Sequence, residues 1–116
     1  MEKETTFTSS NALTSFAALS QKTRLDVFRL LIKAGEKGMS AGEIGEKLGI
    51  RQNTMSTNLA ILARTNLVTN QREGRSIRYF ANYAGIRQLI SFLMEDCCGG
   101  NTEICQPILD ELQCQN

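Results

Sequence analysis

The chain has 116 residues, 22% of them charged, with a formal net charge of +1, four cysteines and no histidine. This length suits one domain, near the size at which a second copy often helps to complete a buried core, so a homodimer is expected; the lack of histidine excludes imidazole metal sites and histidine-based acid–base catalysis. No stretch approaches the roughly 18 apolar residues of a membrane span, and the polar start lacks the apolar run of a secretory signal, so a cytoplasmic protein with reduced thiols, no membrane partner and no organic cofactor is expected.

Met1 to Ser10 reads as a flexible N-terminal arm. From Asn11 to Leu19, Leu13, Phe16 and Ala17 recur at helical spacing. Ser20 is placed to N-cap a helix from Gln21 to Ala34, where Leu25, Val27, Phe28, Leu30, Leu31 and Ile32 cover more than one face, as a central buried helix requires. Gly35 is expected to close it in the left-handed conformation. Ser40-Ala41-Gly42-Glu43 has the capping-box form and opens a helix that runs through Ile44 and Leu48 to Gly49. Gln52 or Asn53 begins another, with Met55, Leu59 and Leu62 facing inward, and the two helices around a glycine form a helix-turn-helix. Leu67 to Arg72, Glu73-Gly74 and Arg75 to Ala81 predict a β-hairpin. A last long helix from about Asn82 carries Ile86, Leu89, Ile90 and Leu93 as an apolar stripe. Beyond it, Pro107 suits a first helical position, and Ile108, Leu109 and Leu112 could anchor a short closing helix or belong to a frayed tail.

This order predicts a mainly α fold with a small β-hairpin, a winged helix-turn-helix, over residues 11–96, with helices at both ends pairing with a second copy. Residues 97–116 read as a cysteine-bearing, inducer-binding tail.

In such a fold the second helix of the pair enters the major groove. Its outward residues here are Gln52, Asn53, Thr54, Ser56, Thr57 and Asn58, whose amides and hydroxyls suit base edges and phosphates. Arg64 late in that helix, and Arg72, Arg75 and Arg78 on the wing, are expected to hold phosphates or a minor groove. The charge is segregated to match. Between Lys47 and Arg78 six basic residues face the single Glu73, while from Glu95 onward there are five acidic residues and no Lys or Arg. Double-stranded DNA would meet the middle of the chain and avoid its end.

Cys97, Cys98 and Cys105 crowd one short stretch. Adjacent Cα atoms lie about 3.8 Å apart against the roughly 4.4–6.8 Å of ordinary disulfides, so a bond between Cys97 and Cys98 would be strained. Gly99-Gly100 lets the backbone fold Cys105 back toward the pair. Three converging thiolates suit a pyramidal thiophilic ion such as As(III) or Sb(III). Zinc favours four ligands at other spacings, although Cys114 could supply a fourth sulfur. Cd(II), Pb(II) and thiol-redox sensing are the competing readings. A thiol enzyme is disfavoured, because these cysteines follow a helix C-terminus beside Glu95 and Asp96, where thiolates are not stabilised.

Leu19-Ser20-Gln21-Lys22-Thr23-Arg24-Leu25-Asp26-Val27-Phe28 resembles the opening signature of the ArsR (arsenic repressor) family. Gln52 to Leu62 is similar to that family's recognition helix, and Arg72-Glu73-Gly74-Arg75 to its wing turn. The resemblance implies a homodimeric repressor, bound to an inverted-repeat operator until an inducing ion lowers its affinity. The chain departs from the better-known members: Gly42-Glu43-Ile44-Gly45 stands where they carry Cys-Val-Cys, and Asn58 where many carry His. A subset with thiols just beyond the last helix resembles Asp96 to Cys105, which implies Cys97, Cys98 and Cys105 as ligands of As(III) or Sb(III), the inducer.

Overall fold

The computed structural model describes residues 7–95 and 102–112. Helix α1 (Ser9–Leu19) begins two residues before the sequence expectation because Thr8 forms a capping box with Asn11. The Thr8 hydroxyl accepts from the Asn11 amide at 3.2 Å, and the Asn11 side chain accepts from the Thr8 amide at 2.8 Å. An Asn in the usual Glu/Gln position had hidden that signal. Ala12, Ser15 and Ala18 are buried, small residues that let α1 lie close to its neighbours.

Helix α2 (Lys22–Ala34) is capped by Gln21, whose side chain accepts from the Arg24 amide at 2.9 Å. Ser20 instead finishes α1, donating its hydroxyl to the Ala17 carbonyl at 3.0 Å. The breadth of the α2 apolar face is explained by its place in the core, where Val27 and Leu31 are wholly buried and Phe28, Leu30 and Ile32 pack around them. Gly35 ends the helix at φ 66°, ψ −140°, outside the expected left-handed helical basin, because a 3-10 turn (Gly35–Lys37) continues the chain.

A two-residue strand β1 (Met39–Ser40), too short to show a sequence period, adds an unexpected third member to the sheet. Gly38 permits it: φ is 61°, and a Cβ there would lie 2.5 Å from the Tyr79 carbonyl oxygen. Helix α3 (Ala41–Leu48) carries the expected Ser40/Glu43 capping box and ends at left-handed Gly49. Helix α4 (Gln52–Ala63) follows, then strands β2 (Val68–Glu73) and β3 (Ser76–Ala81), which pair antiparallel around Gly74 at φ 63°. The sheet order is β1-β3-β2. Helix α5 spans Tyr83–Leu93 and helix α6 Thr102–Glu111.

The core joins α2, α3, α4 and the base of the wing through Leu31, Ile44, Met55, Leu59, Leu62 and Leu67, each essentially without exposure. Burying a side chain of this kind contributes about 1.5–3 kcal/mol. The architecture is a winged helix-turn-helix, mostly helical with a three-stranded antiparallel sheet.

Candidate nucleic-acid interface and the cysteine segment

Helix α4 divides cleanly into two faces. Met55, Leu59 and Leu62 fill the core, while Gln52, Asn53, Thr54, Ser56 and Thr57 are exposed. Its N-cap, Arg51, makes no side-chain capping bond. The Thr54 amide donates to the Asn53 side-chain oxygen at 2.8 Å, so the Gln52 and Asn53 amides, at the positive end of the α4 dipole, are the ones open to an anion such as a DNA phosphate. Thr57 donates its hydroxyl to the Asn53 carbonyl at 3.2 Å, and the side chains of Gln52, Thr54 and Ser56 have no hydrogen-bond partner among the described residues.

Asn58 does not belong to that exposed set. It is 7% exposed, and its amide is spent inside the molecule. The side-chain oxygen accepts from Arg24 at 3.0 Å and the nitrogen donates to the Thr54 carbonyl at 3.1 Å, while Arg24 Nε donates to the Ala18 carbonyl at 2.7 Å. This chain of bonds ties the end of α1 and the start of α2 to the middle of α4. Asn58 is thus buried and bonded toward α2, away from the exposed polar face of α4.

The expected arginines also separate. Arg75 lies exposed at the wing turn with no ion pair among the described residues, and Arg72 is exposed beside it with a 3.3 Å bond to the Gly74 carbonyl. Arg78 is used internally. It donates to the Lys37 and Gly38 carbonyls at 3.0 Å and pairs with Glu73 at 3.3 Å and Glu43 at 3.5 Å, pinning β3 to the turn before β1. Arg64 caps the C-terminal end of α4, roughly 18 Å along the axis from Gln52. It lines a cavity between α1 and α5 instead of the polar face.

Arg51 was counted in the sequence only as charge, although its position directly before the reading helix was the signal for a phosphate contact. It is exposed and without an ion pair among the described residues. Close by, the Glu43 carboxyl is held below its ordinary value of 4.5, chiefly by the backbone amide of Ser40 and then, against a small opposing cost of burial, by the charge of Arg78.

Of the cysteines, Cys97, Cys98 and Cys114 lie outside the described residues. Cys105 sits on α6, 9% exposed and disulfide-bonded. Pro107 falls inside α6 and not at its first position, because the helix starts earlier, at Thr102, and forgoes a backbone bond at the proline. Among the described residues no group of three or more His, Cys, Asp or Glu is placed to hold a metal. Leu13 and Phe16 on α1, and Ile90 and Leu93 on α5, are exposed at 68%, 40%, 37% and 55%. No helix of the described residues is long and apolar enough to cross a membrane.

A helix-turn-helix domain family matches residues 19–71. The chain is 26% identical over 93 residues to the transcriptional activator HlyU of Vibrio cholerae, covering 80% of this chain and 83% of that one. It is 29% identical over 89 residues to the transcriptional repressor SdpR of Bacillus subtilis, covering 77% and 96%. Among solved structures, V. cholerae HlyU in its reduced form superposes with a TM-score of 0.60 at 26% identity, over 78% of this chain and 92% of that one. An ArsR-like regulator from Rhodococcus gives 0.65 at 24% identity, over 91% and 96%. A homodimeric winged helix-turn-helix DNA-binding domain from Mycobacterium bovis gives 0.60 at 19% identity, over the whole of both chains.

Proposed function

We propose that the chain is a winged helix-turn-helix transcriptional regulator of the ArsR and HlyU type, to which it is similar, and that it acts as a homodimeric repressor that releases an inverted-repeat operator when Cys97, Cys98 and Cys105 capture As(III) or Sb(III). Its relatives are DNA-binding regulators and not enzymes, and the chain is read accordingly. The observation that carries the DNA-binding part is the exposed amide and hydroxyl face of α4, whose N-cap Arg51 makes no side-chain capping bond, flanked by Arg51 and Arg75, which have no ion pair among the described residues. Gln52 and Ser56 read base edges, while Arg51, Arg72 and Arg75 hold phosphates.

The inducer part rests on the three thiols and their spacing. Ligation displaces thiol protons, so capture weakens as the pH falls. Drawing Cys105 of α6 toward Cys97 and Cys98, which follow α5 in the sequence, acts on a helix whose apolar face is offered to the second protomer. A hundredfold loss of operator affinity corresponds to about 2.7 kcal/mol of coupling, and DNA weakens metalloid binding by the same factor.

The test is an arsenite titration of the reduced protein on its operator. Cys97→Ser, Cys98→Ser and Cys105→Ser are each expected to bind the operator normally and to lose release. Normal release by any one of them removes that cysteine from the site, and release by all three refutes the metalloid reading.

The disulfide at Cys105 favours a second reading, thiol-redox sensing. In it, peroxide or polysulfide accepts two electrons from a pair of thiols, two protons leave, and the bond between the sulfurs changes the grip on DNA. Detachment by peroxide, reversed by dithiothreitol and absent with arsenite, identifies this reading over the first.

A further inference from the structure

A cavity of about 510 Å³ opens where the start of α1, the end of α4 and the middle of α5 meet. Its hydrogen-bonding capacity is unbalanced. The Asn11 side-chain oxygen is taken by Thr8 at 2.8 and 3.0 Å, the Gln88 oxygen by Asn66, and the Asn66 oxygen by Asn82 at 3.3 Å. The Thr65 hydroxyl donates to the Leu62 carbonyl and accepts from the Leu67 amide, so it is also committed.

What remains is almost entirely donors. The Asn11 and Gln88 side-chain nitrogens and the Arg64 guanidinium have no hydrogen-bond partner among the described residues, and Asn66 keeps a second N–H. Among the lining side chains described, the Thr14 hydroxyl oxygen, whose proton goes to the Ser10 carbonyl at 3.0 Å, is an acceptor without a donor. Among the described residues no carboxylate lines the cavity. Glu95 lines an adjoining recess that shares Phe7 and Gln88 and that Arg87 also lines. Phe7, its ring 5.6 Å from that of Phe92, supplies an apolar wall. The floor is rigid, since Asn82 donates to the Asn66 carbonyl at 2.9 Å and Gly85 lies so close that a Cβ would sit 1.6 Å from that carbonyl oxygen.

We propose that this cavity is a binding site for a small carboxylate with a flat apolar body, its anionic head held by Arg64, Asn11 and Gln88 and its body against Phe7. A guanidinium with two amide donors lining one cavity, and no acid among the described lining residues, selects a carboxylate over a neutral amide, and the volume is that of an ordinary small-ligand pocket. A ligand there touches α1, α4 and α5 together, joining the dimer-facing helices to the far end of the reading helix. The proposal gives Arg64 a role that its distance from the polar face of α4 leaves open.

The experiment is a titration of the ¹⁵N-labelled full chain with benzoate, phenylacetate and neutral benzamide at constant ionic strength, without DNA or metalloid, so its outcome is independent of the inducer reading. Expected are saturable shifts of the Asn11 and Gln88 side-chain amide signals with the acids, and at least about tenfold weaker binding of benzamide. Arg64→Gln is expected to weaken the acids by a similar factor. Gln88→Glu keeps the acceptor for Asn66 but is expected to abolish acid binding by like-charge repulsion. Arg64 is exposed, so its replacement leaves the fold intact, and unchanged backbone signals elsewhere verify this. Absence of saturable shifts with both acids, equal response to benzamide, or undiminished binding in Arg64→Gln overturns the proposal.

Discussion

Two neighbours on α4 show how much a single position decides. Ser56 is exposed with a free hydroxyl, whereas Asn58 is buried and bonded to Arg24 and Thr54. Asn58→Ala removes the acceptor that Arg24 relies on in a part-buried setting. An unsatisfied polar group of this kind costs about 1–3 kcal/mol, so urea denaturation is expected to show a loss of that size. Ser56→Ala is expected to leave stability unchanged and to alter operator preference in a binding-site selection. Glu43 carries a pH signature. Its carboxyl is held below 4.5 mainly by the Ser40 amide, so the ionised form stabilises the fold above that pH, and this contribution is lost as the pH falls through the lower native value. Glu43→Gln keeps an acceptor for the capping box but cannot titrate. Its melting temperature is expected to fall less steeply than that of the parent on acidification below pH 4.5.

At the scale of elements, local chemistry placed the helices and the wing well. Ser40 with Glu43, the helix stop at Gly49, and the inward Met55, Leu59 and Leu62 are all features of short stretches, and all three expectations hold. The departures have equally local causes. Gln21 displaces Ser20 as the α2 cap because Ser20 is engaged with α1, and β1 exists because Gly38 admits close approach to β3. The packing of α5 on the loop after α4 depends on Gly85, which no sequence pattern singled out. Gly85→Ala drives a methyl into the Asn66 backbone carbonyl, 1.6 Å away before relaxation. Overpacking against backbone costs about 1–3 kcal/mol or more, and thermal unfolding is expected to show a correspondingly lowered midpoint.

For the whole molecule, the exposed apolar residues of α1 and α5 are the surfaces that remain to be covered. Leu13, Phe16, Ile90 and Leu93 project from the two helices that bracket the domain, and a second copy of the chain is their proposed cover. Leu93→Glu is expected to shift the protein toward monomer in sedimentation velocity. On the proposed inverted-repeat operator, affinity is then expected to fall steeply, since a monomer engages one half-site. The same substitution leaves the core of α2, α3 and α4 untouched, so circular dichroism at high concentration is expected to match the parent.

The sequence by itself determined the order of α1 to α5 and the hairpin, the winged helix-turn-helix, and the inward face of α4, because caps, glycine turns and apolar periods act over a few residues. Tertiary structure alone decided which polar side chains remain available to a partner. Asn58 meets Arg24 across 34 positions, and Arg78 meets Gly38 across 40. A side chain is free or spent according to what folding brings beside it, and that partner is too distant along the chain for any local pattern to reveal.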